Sequence, residues 1–280
     1  MRNIWTLARM TYREALRRRI VLTALALGLC FLVVFSIGFH FIYGEFYISQ
    51  DRTIYRIIRT EATNSLLLAG LYAVSFLSLA MGVLLGVDTL AGEIASGAIQ
   101  TIASKPVRRA EIVLGKWLGF AVLLALYSML MSGGTALSVF IQSGYVAPNL
   151  LVGIALIYLE SLLMMTVSLA FSSAIPALAA GGMVFGLYGL AFIGGWIEQI
   201  GALLENRTAV KIGIVTSLIV PSEAVWRRAA FEMQSPLVGG LGVSPFGGAS
   251  VPSAAMILYT IVYLVMALGV AIHSFQKRDI

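Results

Sequence analysis

Residues 20–43 read IVLTALALGLCFLVVFSIGFHFIY, an apolar run broken only by Thr23, Ser36 and His40. At 1.5 Å per residue, a helix over this run is about 36 Å long, enough to cross a hydrocarbon core of about 30 Å. A signal peptide is the competing reading, but a cleavable apolar region is about 7–15 residues and this run is far longer. The whole chain shares the run's character: 59% of its 280 residues are hydrophobic and 11% charged. With a mean hydropathy of +0.93 it cannot hide its apolar surface from water by folding alone. Similar runs follow at 66–87, 112–141, 150–171, 177–197 and 254–275. The expectation is an all-α integral membrane protein with six spans, forming one transmembrane domain over residues 1–280.

The segments between the runs give the orientation. In residues 1–19, Arg2, Arg9, Arg13 and Arg17 fall on one side of a helix and Ile4, Ala8, Thr11 and Ala15 on another. Trp5 and Tyr12 suit headgroup depth, so this reads as an amphipathic interfacial helix. Residues 44–65 carry Arg52, Arg56 and Arg59 at helical spacing, balanced by Glu45, Asp51 and Glu61, and read as a helix on the outer surface. With both termini inside, the cytoplasmic segments hold twelve of the nineteen cations: Arg2, Arg9, Arg13, Arg17, Arg18, Arg19, Lys105, Arg108, Arg109, Lys116, Lys277 and Arg278. Four of the other seven lie in one long outer loop, where the bias counts least. The net charge of +6 thus gathers beside apolar runs, which fits anionic lipid headgroups and not nucleic acid.

That outer loop, 198–252, has a short apolar segment at 212–220. Nine residues are too few to cross, so the segment dips in and returns; were it to cross, the C-terminus would lie outside, against Lys277 and Arg278. After Pro221 comes SEAVWRRAAFE, where Glu223 with Arg227 and Arg228 with Glu232 are placed to pair at i,i+4 on a helix.

Between the second and third runs, residues 92–116 read GEIASGAIQTIASKPVRRAEIVLGK. Ile94, Ala98, Ile99 and Ile102 recur at three- and four-residue steps, while Glu93, Ser96, Gln100 and Ser104 fall elsewhere. Pro106 lacks an N–H and pushes Lys105 out of the helical region, so a short helix over 93–104 ends before a new one begins. The spacing offers a half-buried helix to something in the cytoplasm; a plain reversal loop with a basic rim is the alternative.

The same stretch resembles the membrane subunit of a type-2 ABC (ATP-binding cassette) exporter. The family's loop pattern corresponds here to Glu93, Gly97, Ile99, Ile102, Pro106, Arg109, Glu111, Gly115 and Lys116, with Arg108 departing from the usual small hydroxylated residue. The resemblance implies that 93–104 is a coupling helix docking in an ATP-hydrolysing subunit, and that residues 1–19, with Arg9, Arg13 and Arg17, are an elbow helix. It implies re-entrant helices in the outer loop, forming an extracytoplasmic gate with Pro221, Glu223, Trp226 and Arg227 as candidates. It also implies a homodimer beside two ATPase copies in a prokaryotic inner membrane. Trp5, Ala8, Arg9, Glu14, Ala15, Leu16 and Arg17, with Pro221-Ser222-Glu223, look most like the branch containing the copper-enzyme maturation permeases. Some members of that branch transmit force to an extracytoplasmic partner instead of passing a solute.

The remaining signals bear on energy and substrate. No G-x-x-x-x-G-K-[ST] occurs, so the chain carries no phosphate-cradling loop, and ATP and Mg²⁺ are expected on the partner ATPase. Met131-Ser132-Gly133-Gly134 lies inside a span, where close packing explains it. Cys30, His40 and His273 are isolated, so neither a disulfide nor a metal site is expected. Glu160 sits near the middle of a span, where a charge costs about 2.5–3.5 kcal/mol, so it is protonated, paired or facing a wet cavity. It reads either as a substrate or proton site or as an interhelical hydrogen bond. Gly82 and Gly86, Gly115 and Gly119, and Gly182 and Gly186 form G-x-x-x-G pairs that let helices approach closely. The readings from other classes are a secondary transporter or channel using Glu160, and a membrane anchor for a cytoplasmic partner.

Overall fold

The computed structural model describes residues 2–47, 53–95, 108–235 and 250–277. The helices among them are, in order, α1 (Arg2–Ala15), α2 (Arg19–Tyr47), α3 (Thr53–Ala95), α4 (Arg109–Ser143), α5 (Leu150–Ala174), α6 (Ala177–Leu203), α7 (Arg207–Ile219), α8 (Ser222–Met233) and α9 (Ala254–Lys277). Six of them, α2 to α6 and α9, are long and apolar enough to cross a membrane. The protein is an all-α integral membrane protein.

Serine and glycine set the closest seams. Where Gly82 and Gly86 of α3 face α5, an added Cβ would lie 2.9 Å from the Ser161 carbonyl oxygen and 2.7 Å from that of Met165. The two backbones therefore approach closely enough for α5 hydroxyls to reach α3 carbonyls. Ser168 donates to Val83 O at 2.7 Å and Ser172 to Gly86 O at 3.0 Å. Gly115 and Gly119 serve α1 in the same way, taking Leu7 and Thr11 against the α4 backbone. Gly182 and Gly186 of α6 have nothing within 4 Å of them among the described residues. At the periphery, only 11% of the most apolar window of α2 and 17% of that of α9 is buried, so their remaining apolar surface requires lipid or another chain.

Three expected boundaries differ. The arginine-bearing stretch before the second span is no separate helix, because α3 runs from Thr53 to Ala95 as one element. Residues 53–65 contain neither Gly nor Pro, so nothing there interrupts the hydrogen-bond ladder. The same helix continues past Asp88, so Glu93 extends the span instead of opening a new helix. Likewise α6 continues to Leu203 and draws Glu198 out of the expected outer loop. Gly97, Ile99, Ile102 and Pro106 lie outside the described residues.

Candidate functional site

The turn after α6 begins with Asn206, whose Oδ1 accepts the N–H groups of Thr208 and Ala209 at 3.0 and 3.2 Å and so caps α7. Gly194 and Gly201 on α6 and Gly213 on α7 allow the two helices to lie backbone against backbone; a Cβ on them would meet Thr216, Ala209 and Glu198 respectively. α7 has 13 residues, about 20 Å, which falls short of the hydrocarbon thickness. Val220 is extended ahead of Pro221, as proline demands of its predecessor, and the chain turns through 107° into α8.

All four outer candidates, Pro221, Glu223, Trp226 and Arg227, are buried. Trp226 packs its ring 4.9 Å from that of Tyr72 on α3, and Met233 fills the space over Gly153 of α5. Glu223 lies over Gly195 of α6, which has no side chain to displace it. The expected Glu223–Arg227 pair is not made. Arg227 turns instead to Glu198 on α6, its two terminal nitrogens each 2.8 Å from a carboxylate oxygen. The Nη2 contact is a charge-assisted hydrogen bond, the Nη1 contact an ion pair only, and α6 presents its acid directly to this face of α8. Ser217 Oγ accepts from Arg227 at 3.3 Å, while Ser250 Oγ donates to Glu198 at 2.6 Å. Arg228 does pair with Glu232, and it also donates to the Pro252 carbonyl at 3.3 Å.

Beneath this hairpin, Glu160 of α5 is 1% exposed and accepts a hydrogen bond from Ser75 Oγ of α3 at 2.7 Å. Its Oε1 has no hydrogen bond among the described residues. Glu223 is near enough for the two acids to feel each other's charge, and Tyr72 interacts electrostatically with both. The structure thus joins the intramembrane candidate and the outer candidates in one buried polar seam. Sequence reasoning missed Glu198, Ser75 and Tyr72. A signal for Glu198 was present: apolar character resumes at Ile200, which places the acid inside the helical run.

At the other end of the spans, Arg109 opens α4 and donates to the carbonyls of Gln276 and Phe275 in the last turn of α9, at 3.1 and 3.5 Å. Glu111 accepts the Arg108 N–H at 3.2 Å and closes the first turn of α4. Arg9 and Arg13 are exposed on α1, and Arg17 is exposed just beyond it. The opposite side of α1 buries Ala8, Thr11 and Ala15. Glu93 stands in the last turns of α3, apart from this polar seam.

The family model described as ABC-2 family transporter protein matches residues 5–280. No curated protein matches the chain. Membership of this family brings with it an ABC ATPase partner, and six apolar helices agree with its multi-pass character. The chain belongs to the ABC-2 transporter family, as the permease subunit of a type-2 ABC transporter.

Proposed function

We propose that the chain is the permease of an exporter, working as a homodimer beside two ATPase subunits in a prokaryotic inner membrane with both termini cytoplasmic. In this reading ATP and Mg²⁺ are bound by the ATPase. Closure of the ATPase pair presses on residues 93–104 and on α1, and the spans rock between inward and outward openings. The observation that carries the reading is the continuity of α3: Glu93 stands on the same helix as Ser75, the partner of Glu160. A push at the inner end therefore enters the bundle interior without passing through a loop. Arg109 supports the same transmission, since it ties the start of α4 to the end of α9.

At the far end, α7 and α8 form the outer gate, held shut by Arg227 and Glu198. What passes the gate is either a solute or a force delivered to an extracytoplasmic partner, as in some members of the copper-enzyme maturation branch. A second reading rests on Glu160. Its complete burial with a single hydrogen bond suits an ion site in a secondary transporter.

The test is a detergent pull-down of the tagged chain from its host, comparing wild type with Glu93→Ala/Ile99→Asp. Arg109 is left intact because its bonds to α9 would confuse a docking defect with loosened packing. A Walker-motif ATPase that co-purifies with wild type and is lost from the variant supports the coupling reading. Absence of any ATPase, with ion flux that depends on Glu160, would replace it with the second one.

A further inference from the structure

Three acids meet one guanidinium in the buried seam beneath the α7–α8 hairpin. Glu160, Glu198, Glu223 and Arg227 are each at most 4% exposed. Ionised together, they would leave two uncompensated negative charges in a dry site, where burial and like charges both favour the neutral carboxyl. Arg227 is committed to Glu198, so the surplus falls on Glu160 and Glu223. Glu223 stands one turn before Arg227 on α8, close enough for the guanidinium to favour its ionised form. Its Oε2 is buried without a hydrogen bond among the described residues, and so is Arg227 Nε. An unmet acceptor and an unmet donor therefore lie within one turn of each other.

The other titratable groups that face Glu223 are Tyr72 of α3, Glu160 of α5 and Tyr188 of α6. Burial raises the Glu223 carboxyl from its ordinary value of 4.5 to about 7, against the opposing pull first of Arg227 and then of Tyr72. We propose that Glu223 is a proton-binding site that sets the fastening of the hairpin: protonated, it leaves Arg227 to Glu198, and ionised, it draws the guanidinium toward itself and weakens that pair. The proton released goes to water. Proton binding rests on the seam alone; its consequence for transport rests on the gate reading above. A carboxyl raised on folding binds its proton more tightly in the folded state. Stability is therefore greatest below about pH 4.5, falls as pH rises, and levels off above about 7.

Thermal unfolding of the detergent-solubilised protein between about pH 5.5 and 8 tests it. The wild-type melting temperature should fall by about 5 °C over that range. Glu223→Gln keeps the shape but cannot ionise, so its melting temperature should stay flat, while Glu160→Gln should keep the slope. Proteolysis within residues 204–221 should quicken several-fold with rising pH in wild type and not in Glu223→Gln. Should Glu223→Gln fail to fold, infrared difference spectra carry the test: a protonated-carboxyl band should vanish over the same range in wild type and in Glu160→Gln. A wild-type melting temperature indifferent to pH would overturn the site. So would a slope that survives Glu223→Gln, or one lost in Glu160→Gln, which would place the proton on α5. A slope that obeys Glu223 while transport ignores it would leave the proton site standing and sink the gate.

Discussion

Glu198 and Glu160 are both acids buried among the spans, and the protein treats them differently. Glu198 has both oxygens on the Arg227 guanidinium and a further hydrogen bond from Ser250. Glu160 has one hydroxyl, from Ser75, and no cation among its described contacts. A buried ion pair locks elements together, and removing one partner strands the other in a dry site. A carboxyl held by one hydroxyl needs no charge to keep its contact. The first acid is therefore a structural fastener joining α6, α8 and the chain before α9, while the second tolerates neutralisation.

The largest expected effect comes from breaking the fastener. Arg227→Met leaves Glu198 buried without its counter-charge and should cost about 3–5 kcal/mol, seen as a large drop in the melting temperature of the detergent-solubilised protein. The double variant Glu198→Leu/Arg227→Met should recover most of that loss; recovery of none would mean that packing, not charge, holds the hairpin. Next comes Gly213→Ala. Its Cβ would stand 2.7 Å from the Gly194 carbonyl oxygen and 2.9 Å from Glu198 Cα, backbone atoms that cannot rotate away. Prising α7 from α6 should cost about 1–3 kcal/mol and loosen the hairpin, measurable as faster proteolysis within residues 204–221. The smallest effect belongs to Glu160→Gln, where the amide oxygen still accepts from Ser75. A stability change below about 1 kcal/mol is expected, with ATP-dependent transport retained. A complete loss of transport at unchanged stability would make Glu160 the ion-handling group and reverse the comparison.

Much of the architecture is legible in the residues because crossing a bilayer requires a long apolar run, and each run declares itself locally. The helices α7 and α8 are legible in part: Pro221 marks the bend, and the short run before it marks a segment that cannot cross. Arg227's partner is not legible. The helical i,i+4 rule points to Glu223, whereas the actual acid lies 29 positions away on another helix, and only tertiary packing brings it near. The same holds for Ser75, one serine among several in a span until α5 sets Glu160 against it. The length of α3 is not legible for a different reason. Charged residues mark where a helix leaves the membrane, but only glycine, proline or a cap marks where it ends, and residues 53–65 contain no Gly or Pro.

The 43 residues of α3 make a rod of about 65 Å, roughly twice the hydrocarbon thickness. Pivoted at its middle, a tilt of about 5° carries each end sideways by about 3 Å, in opposite directions. Gly82 and Gly86, where the rod lies closest to α5, sit well past its midpoint toward the Glu93 end. If that close contact is the fulcrum, the arms are unequal. A small displacement at the short arm then becomes a swing more than twice as large at Thr53, trading force for travel as a long-handled lever does.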